Sequence, residues 1–177
     1  MDNNSFYDLV KEHLQQPEYL HSLLRVFPVE GLSLGMLALV ISFIQRSRPA
    51  QITALILICI CAAMAYPVVR LGENAYDTIE ARSKDDGLAW LDAHAQRAEK
   101  ALIVYYTLTG VSFLALMVPI KYPKSATPLA VLTLVVATAA MGAGAWISYA
   151  GGQVRHPEFR YGPPPEKLGG YEKMMSK

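Results

Sequence analysis

Three histidines carry the chemistry that this chain could do. His21, His94 and His156 are far apart along the polymer, yet each stands at the edge of a long apolar run. Imidazole is the commonest metal ligand, ligates haem iron, and changes charge near neutral pH. Glu30, Arg155 and Glu158 lie at a similar depth relative to those runs and could orient such ligands by hydrogen bonding. The sequence holds no His-x-x-x-His pair, no His-Glu-x-x-His run, no phosphate loop and no Ser-His-Asp order. Any site therefore depends on the fold bringing the rings together. The alternatives are a metal or haem centre, a proton or quinone role, or histidines that merely cap helix ends or pair with carboxylates. His13 lies among polar neighbours and reads as a solvated surface residue. Cys59 and Cys61 are two residues apart inside an apolar run. On a helix they point to different faces, so they read as packing residues rather than a disulfide or metal pair.

The elements that must position these residues are helices in a membrane. Apolar residues make up 53% of the chain and charged residues 18%, below the roughly 25% usual for soluble proteins. Several runs of about 20 residues carry no charge, enough to cross a hydrocarbon core of ~30 Å as helices. The pattern predicts an all-α, four-helix transmembrane bundle over residues 23–160. Its spans fall at about 23–45, 50–69, 101–120 and 126–152. Residues 1–22 form an N-terminal segment in which Phe6, Leu9, Val10 and Leu14 recur at helical spacing, as in a helix lying on the membrane surface. Pro17 breaks that helix, and Pro28 should kink the first span or mark its true start. Two short basic turns, Arg46-Ser-Arg-Pro49 and Lys121-Tyr-Pro-Lys-Ser125, close two helical hairpins. These hairpins look faintly alike, too weakly for the sequence to establish a repeat.

Spans two and three are joined by a polar, helical extramembrane segment, Arg70 to Lys100. Asp86-Gly87 can start a helix there that continues into span three, with Leu91, His94, Ala98 and Leu102 on one face. Ala139, Ala140, Ala143 and Gly144 give span four small residues that favour close helix packing. Residues 161–177, with Gly162-Pro-Pro-Pro-Glu and Gly169-Gly170, read as an extended tail. The polar start, Met1 to Gln16, does not read as a cleavable secretory signal, so the first span is expected to insert uncleaved.

An even number of spans puts both termini, the polar segment and the three histidines on one side. Arg46, Arg48, Lys121 and Lys124 crowd the two short turns with no acid beside them, which favours cytoplasmic turns and periplasmic termini. The remaining Lys and Arg of the 16 lie on the opposite side and pull the other way. A net charge of +1 gives no footprint for nucleic acid. Hydrolytic motifs are missing, and catalysis by this chain alone is not expected. Three readings follow. One is a small subunit of respiratory or electron-transfer machinery binding haem b or a transition metal at the histidines. Another is an accessory subunit packed in a larger membrane complex or homo-oligomer. The third, a transporter or sensor, is weaker, because the midplanes hold only Ser, Thr, Gly and Ala as polar or small residues.

The stretch His21-Ser-Leu-Leu-Arg-Val-Phe-Pro-Val29 resembles the opening of a bacterial membrane family of unknown function that begins His-Pro-x-x-x-His-Phe-Pro-Ile. Ser22 replaces the proline, and Val26 stands where the family has its second histidine. Gly72-Glu-Asn-Ala-Tyr-Asp77, Trp90-Leu-Asp-Ala-His-Ala-Gln-Arg-Ala-Glu99 and Gly151-Gly-Gln-Val-Arg-His-Pro-Glu-Phe-Arg160 resemble segments of uncharacterised bacterial inner-membrane proteins. The resemblance covers residues 20–160. It implies the four-helix topology, an inner-membrane location, and that His21, His94 and His156 occupy recognisable motifs. It lends no activity.

Overall fold

The computed structural model describes residues 3–82 and 85–165, and among them every regular element is helical. Helix α1 is Asn3–Leu14. Four long helices follow: α2 (Pro17–Ile44), α3 (Arg48–Arg82), α4 (Asp85–Lys121) and α5 (Ala126–Arg155). All four are long and apolar enough to cross a membrane. The protein is a multi-pass membrane protein built as an all-α bundle. The expected tail is seen only through Pro165, and Gly169 and Gly170 lie outside the described residues.

The helices outrun the bilayer. At ~1.5 Å per residue the 35 residues of α3 reach about 52 Å, against a hydrocarbon core of ~30 Å. The excess is where the polar segment sits. Arg70 ends the second apolar run but not the helix, which continues to Arg82. Pro67 removes one backbone donor, and the helix loosens at Met64 without stopping. The first helix likewise begins at Pro17 rather than near Leu23. Pro28 neither starts nor ends it. A π-helical turn over Phe27–Gly31 takes up the proline, and α2 continues on both sides. The helix expected from Asp86-Gly87 is the 37-residue α4.

The chain divides into two compact units. One holds Val26–Ala65 and Lys100–Trp146. Its packing rests on small residues. A Cβ added at Gly35 would lie 2.8 Å from Ile58 Cγ1, and one at Gly31 would lie 2.7 Å from Cys61 Sγ, so α2 and α3 touch nearly backbone to backbone. On α5 the buried stripe is Ala130, Thr133, Ala137, Ala140 and Gly144. Ala139, expected to pack, faces outward because it falls off that i, i+3, i+4 row. Gly144 leaves room for Tyr105, whose buried hydroxyl donates to the Pro28 carbonyl at 3.3 Å. Leu34, Ile44, Phe113, Ile120 and Val135 are exposed, as lipid-facing side chains should be. At the hairpin turn Arg46 takes a positive φ of 50°, the left-handed position that closes a helix, and Ser47 caps α3 by accepting from the Ala50 N–H.

The other unit holds Met1–Arg25, Tyr66–Glu99 and Ile147–Lys177. It gathers the helix ends from three distant stretches of sequence. Tyr76 and Leu91 form its buried centre, with Ile79, Ala95 and Val154 packed around them. Exposed Tyr19, Tyr66 and Tyr149 stand in the same three stretches, as interfacial aromatics do. All three histidines from the sequence lie in this unit.

Candidate functional site

His21 comes from the second turn of α2, and His94 from the overhang of α4. Their rings meet edge to face, with centroids 6.4 Å apart and planes at 86°. Both are partly buried. Each ring is held the same way by the second helix of its own hairpin. His21 Nδ1 lies 2.8 Å from the Val68 carbonyl oxygen, and His94 Nδ1 lies 3.0 Å from that of Ile147. A carbonyl only accepts, so Nδ1–H must be the donor in both rings.

Four residues after each accepting carbonyl comes a glycine. The His21 ring lies on Gly72, where a Cβ would come within 3.0 Å of Cε1 and 3.1 Å of Nδ1. The His94 ring lies on Gly151, where a Cβ would come within 3.0 Å of both atoms. Without a side chain on that turn, the imidazole can lie against the helix backbone and reach the carbonyl one turn earlier. The arrangement occurs twice, once per hairpin: histidine on the first helix, glycine and carbonyl on the second.

The consequence is chemical. With Nδ1 committed as donor, Nε2 of each ring carries the lone pair, and neither Nε2 hydrogen-bonds to the described residues. Fixing one ring nitrogen with a carbonyl and leaving the other as a base is how proteins prepare an imidazole ligand.

Nearby acids are occupied by other partners. Tyr76 OH donates to the Asp92 carboxylate in a short hydrogen bond. Glu18 pairs with Arg82 at 3.7 Å, and Glu73 with Arg70 at 2.7 Å.

The remaining expected residues stand apart from the pair. His156 lies just beyond α5, with Nδ1 3.0 Å from Glu158 and its ring tilted against Phe159 at 5.0 Å. Both members of that ion pair are more than half exposed. The Glu158 carboxyl is held below its usual range, first by its own backbone N–H and then by His156. Arg155 is exposed at the end of α5. Glu30 is exposed on the π-helical turn and forms no ion pair among the described residues.

Sequence reasoning missed Gly72 and Gly151 as the pads, Val68 and Ile147 as the acceptors, and Arg160. Arg160 folds back to donate from Nε to the Gln153 carbonyl at 2.7 Å and from a terminal nitrogen to that of Val154 at 3.0 Å, closing the end of α5. The glycines were visible only as letters in the motifs. Searches against protein-family models, curated proteins and solved structures find no match for this chain, so the imidazole pair and its two glycine pads are what a functional reading can stand on.

Proposed function

We propose that the protein is a small membrane electron-transfer subunit that holds a b-type haem between His21 and His94. The observation that carries this reading is the doubled arrangement: two imidazoles, each with Nδ1 bound to a carbonyl and Nε2 left basic. The donor count favours haem over a bare metal ion. Among the described residues no group of three or more His, Cys, Asp or Glu side chains could hold a metal. A non-haem ion needs three or four protein ligands, whereas haem iron brings its own four nitrogens and asks the protein for one or two. The spacing also fits. Two imidazoles that held one metal ion through Nε2 would have ring centres roughly 6 Å apart, from about 2 Å per metal–nitrogen bond and roughly 1.2 Å from each nitrogen to its ring centre. The observed separation is 6.4 Å.

In this reading a bound haem supplies reversible one-electron chemistry. The chain's own contribution is to fix both tautomers through Val68 and Ile147. The electron partner is a larger membrane complex or another redox protein at the same face. With the basic turns cytoplasmic, that face is periplasmic in a bacterial inner membrane; a reporter fused to the C-terminus and active only outside the cytoplasm is the expected result.

The test is spectroscopic. Protein purified in detergent from haem-replete cells, or titrated with haemin, should show a Soret band and the sharp visible bands of six-coordinate low-spin iron. His21→Ala or His94→Ala should convert it to a five-coordinate spectrum or abolish binding, and His156→Ala should change nothing. Protein that gives no spectral change with haemin would overturn the proposal.

A further inference from the structure

Each histidine of the pair is followed, one helical turn on, by an arginine. Arg25 is four residues after His21, and its backbone N–H bonds to the His21 carbonyl at 3.1 Å. Arg97 is three residues after His94 on the continuous α4. Residues three and four apart share a helix face. Both arginines therefore stand on the helix faces that carry the imidazoles. The electrostatics agree: the charges acting on His94 are those of His21, Arg97 and Arg25, and the charge acting on His21 is that of Arg25. No acid is among them. Glu18, Glu73 and Asp92 are tied to Arg82, Arg70 and Tyr76. The imidazole pair thus has a cationic flank built from one arginine per hairpin.

We infer that Arg25 and Arg97 bind the two carboxylate groups of the tetrapyrrole, one arginine to each, and so set its orientation between the histidines. This rests on the haem reading above and assigns that site its anion-recognising half. Guanidinium suits the task, because its planar fork matches a carboxylate and stays charged at any relevant pH. Neutral imidazoles supply axial bonds but no attraction for anions. Without the arginines the site could hold iron in either of two flipped orientations with no preference for the acid form of the ligand.

The experiment compares two probes on the full-length protein in detergent: haemin, and haemin dimethyl ester, which keeps the iron and ring but lacks the two charges. Wild type is expected to bind haemin about tenfold or more tightly than the ester. Arg25→Gln and Arg97→Gln should each weaken haemin binding roughly three- to tenfold, leave ester binding unchanged, and keep the low-spin spectrum. Arg25→Lys and Arg97→Lys should recover part of the loss. Melting of the apoproteins checks that the variants fold. Glutamine variants that bind haemin as wild type does, or that lose haemin and ester equally, would overturn the inference while leaving the histidine site standing. Wild type that binds neither probe would instead remove the haem reading itself.

Discussion

The two hairpins build the same half-site from unlike surroundings. In the first, His21 sits on a short helical stretch that ends in a turn at Arg25 and passes into the π-helical turn Phe27–Gly31. In the second, His94 belongs to a single 37-residue helix. The partners match: carbonyl and glycine four residues apart, at Val68 and Gly72 in one and Ile147 and Gly151 in the other. A turn with looser hydrogen bonding can shift its side chain, whereas a continuous α-helix holds one in place. The second hairpin is therefore expected to be the fixed jaw and the first the one that adjusts. This is a repeat of geometry, which the hairpin sequences conceal because only a histidine, a glycine and a carbonyl position are needed to make it.

The largest effect should come from the rings themselves. His94→Ala is expected to abolish haemin binding by absorbance titration, and His21→Ala to leave weak high-spin binding, since the fixed jaw retains one ligand. Equal loss in both would erase the distinction between jaws. Next are the pads. Gly151→Ala places a Cβ 3.0 Å from the His94 ring and should cost about 1–3 kcal/mol in detergent melting, as overpacking does. Gly72→Ala meets nearly the same clearance at His21 and should cost less, because the first hairpin can yield. The reverse order would break the comparison. Tyr76→Phe leaves the Asp92 carboxylate without its partly buried donor and should destabilise by about 1.5–3 kcal/mol. Asp92→Asn should lose less, since an amide still accepts from the hydroxyl.

The smallest effect lies outside both jaws, at Glu158. Its folded carboxyl titrates below the ordinary value of ~4.3, so its stabilisation is complete above that pH and is lost as pH falls through the lowered value. Glu158→Gln should flatten the acid limb of a melting curve slightly and do nothing at neutral pH. A change in haemin spectrum on this substitution would show that His156 and Glu158 reach the site after all.

Much of this could be read from the chain. Charge-free runs gave four crossings, and the positions of His21 and His94 outside those runs gave their common side. The pairing itself is a long-range fact. Nothing near His21 in sequence indicates Val68, and a glycine in Gly72-Glu73 looks the same whether it breaks a helix or receives a ring. Three histidines on one side also suggested one cluster of three. His156 departs because it follows the last helical turn, where Pro157 directs the chain away and Glu158 is close at hand. Pro28 looked like a boundary because a missing donor usually ends a helix. One wide turn was enough to absorb it.

That wide turn has a consequence for timing along the helix. A π-helical turn inserts roughly one residue beyond the α count, which rotates everything before it by about 100° relative to everything after. Removing a single residue between Phe27 and Gly31 would let that turn close as ordinary α-helix, and the proline ring would then press on the turn before it.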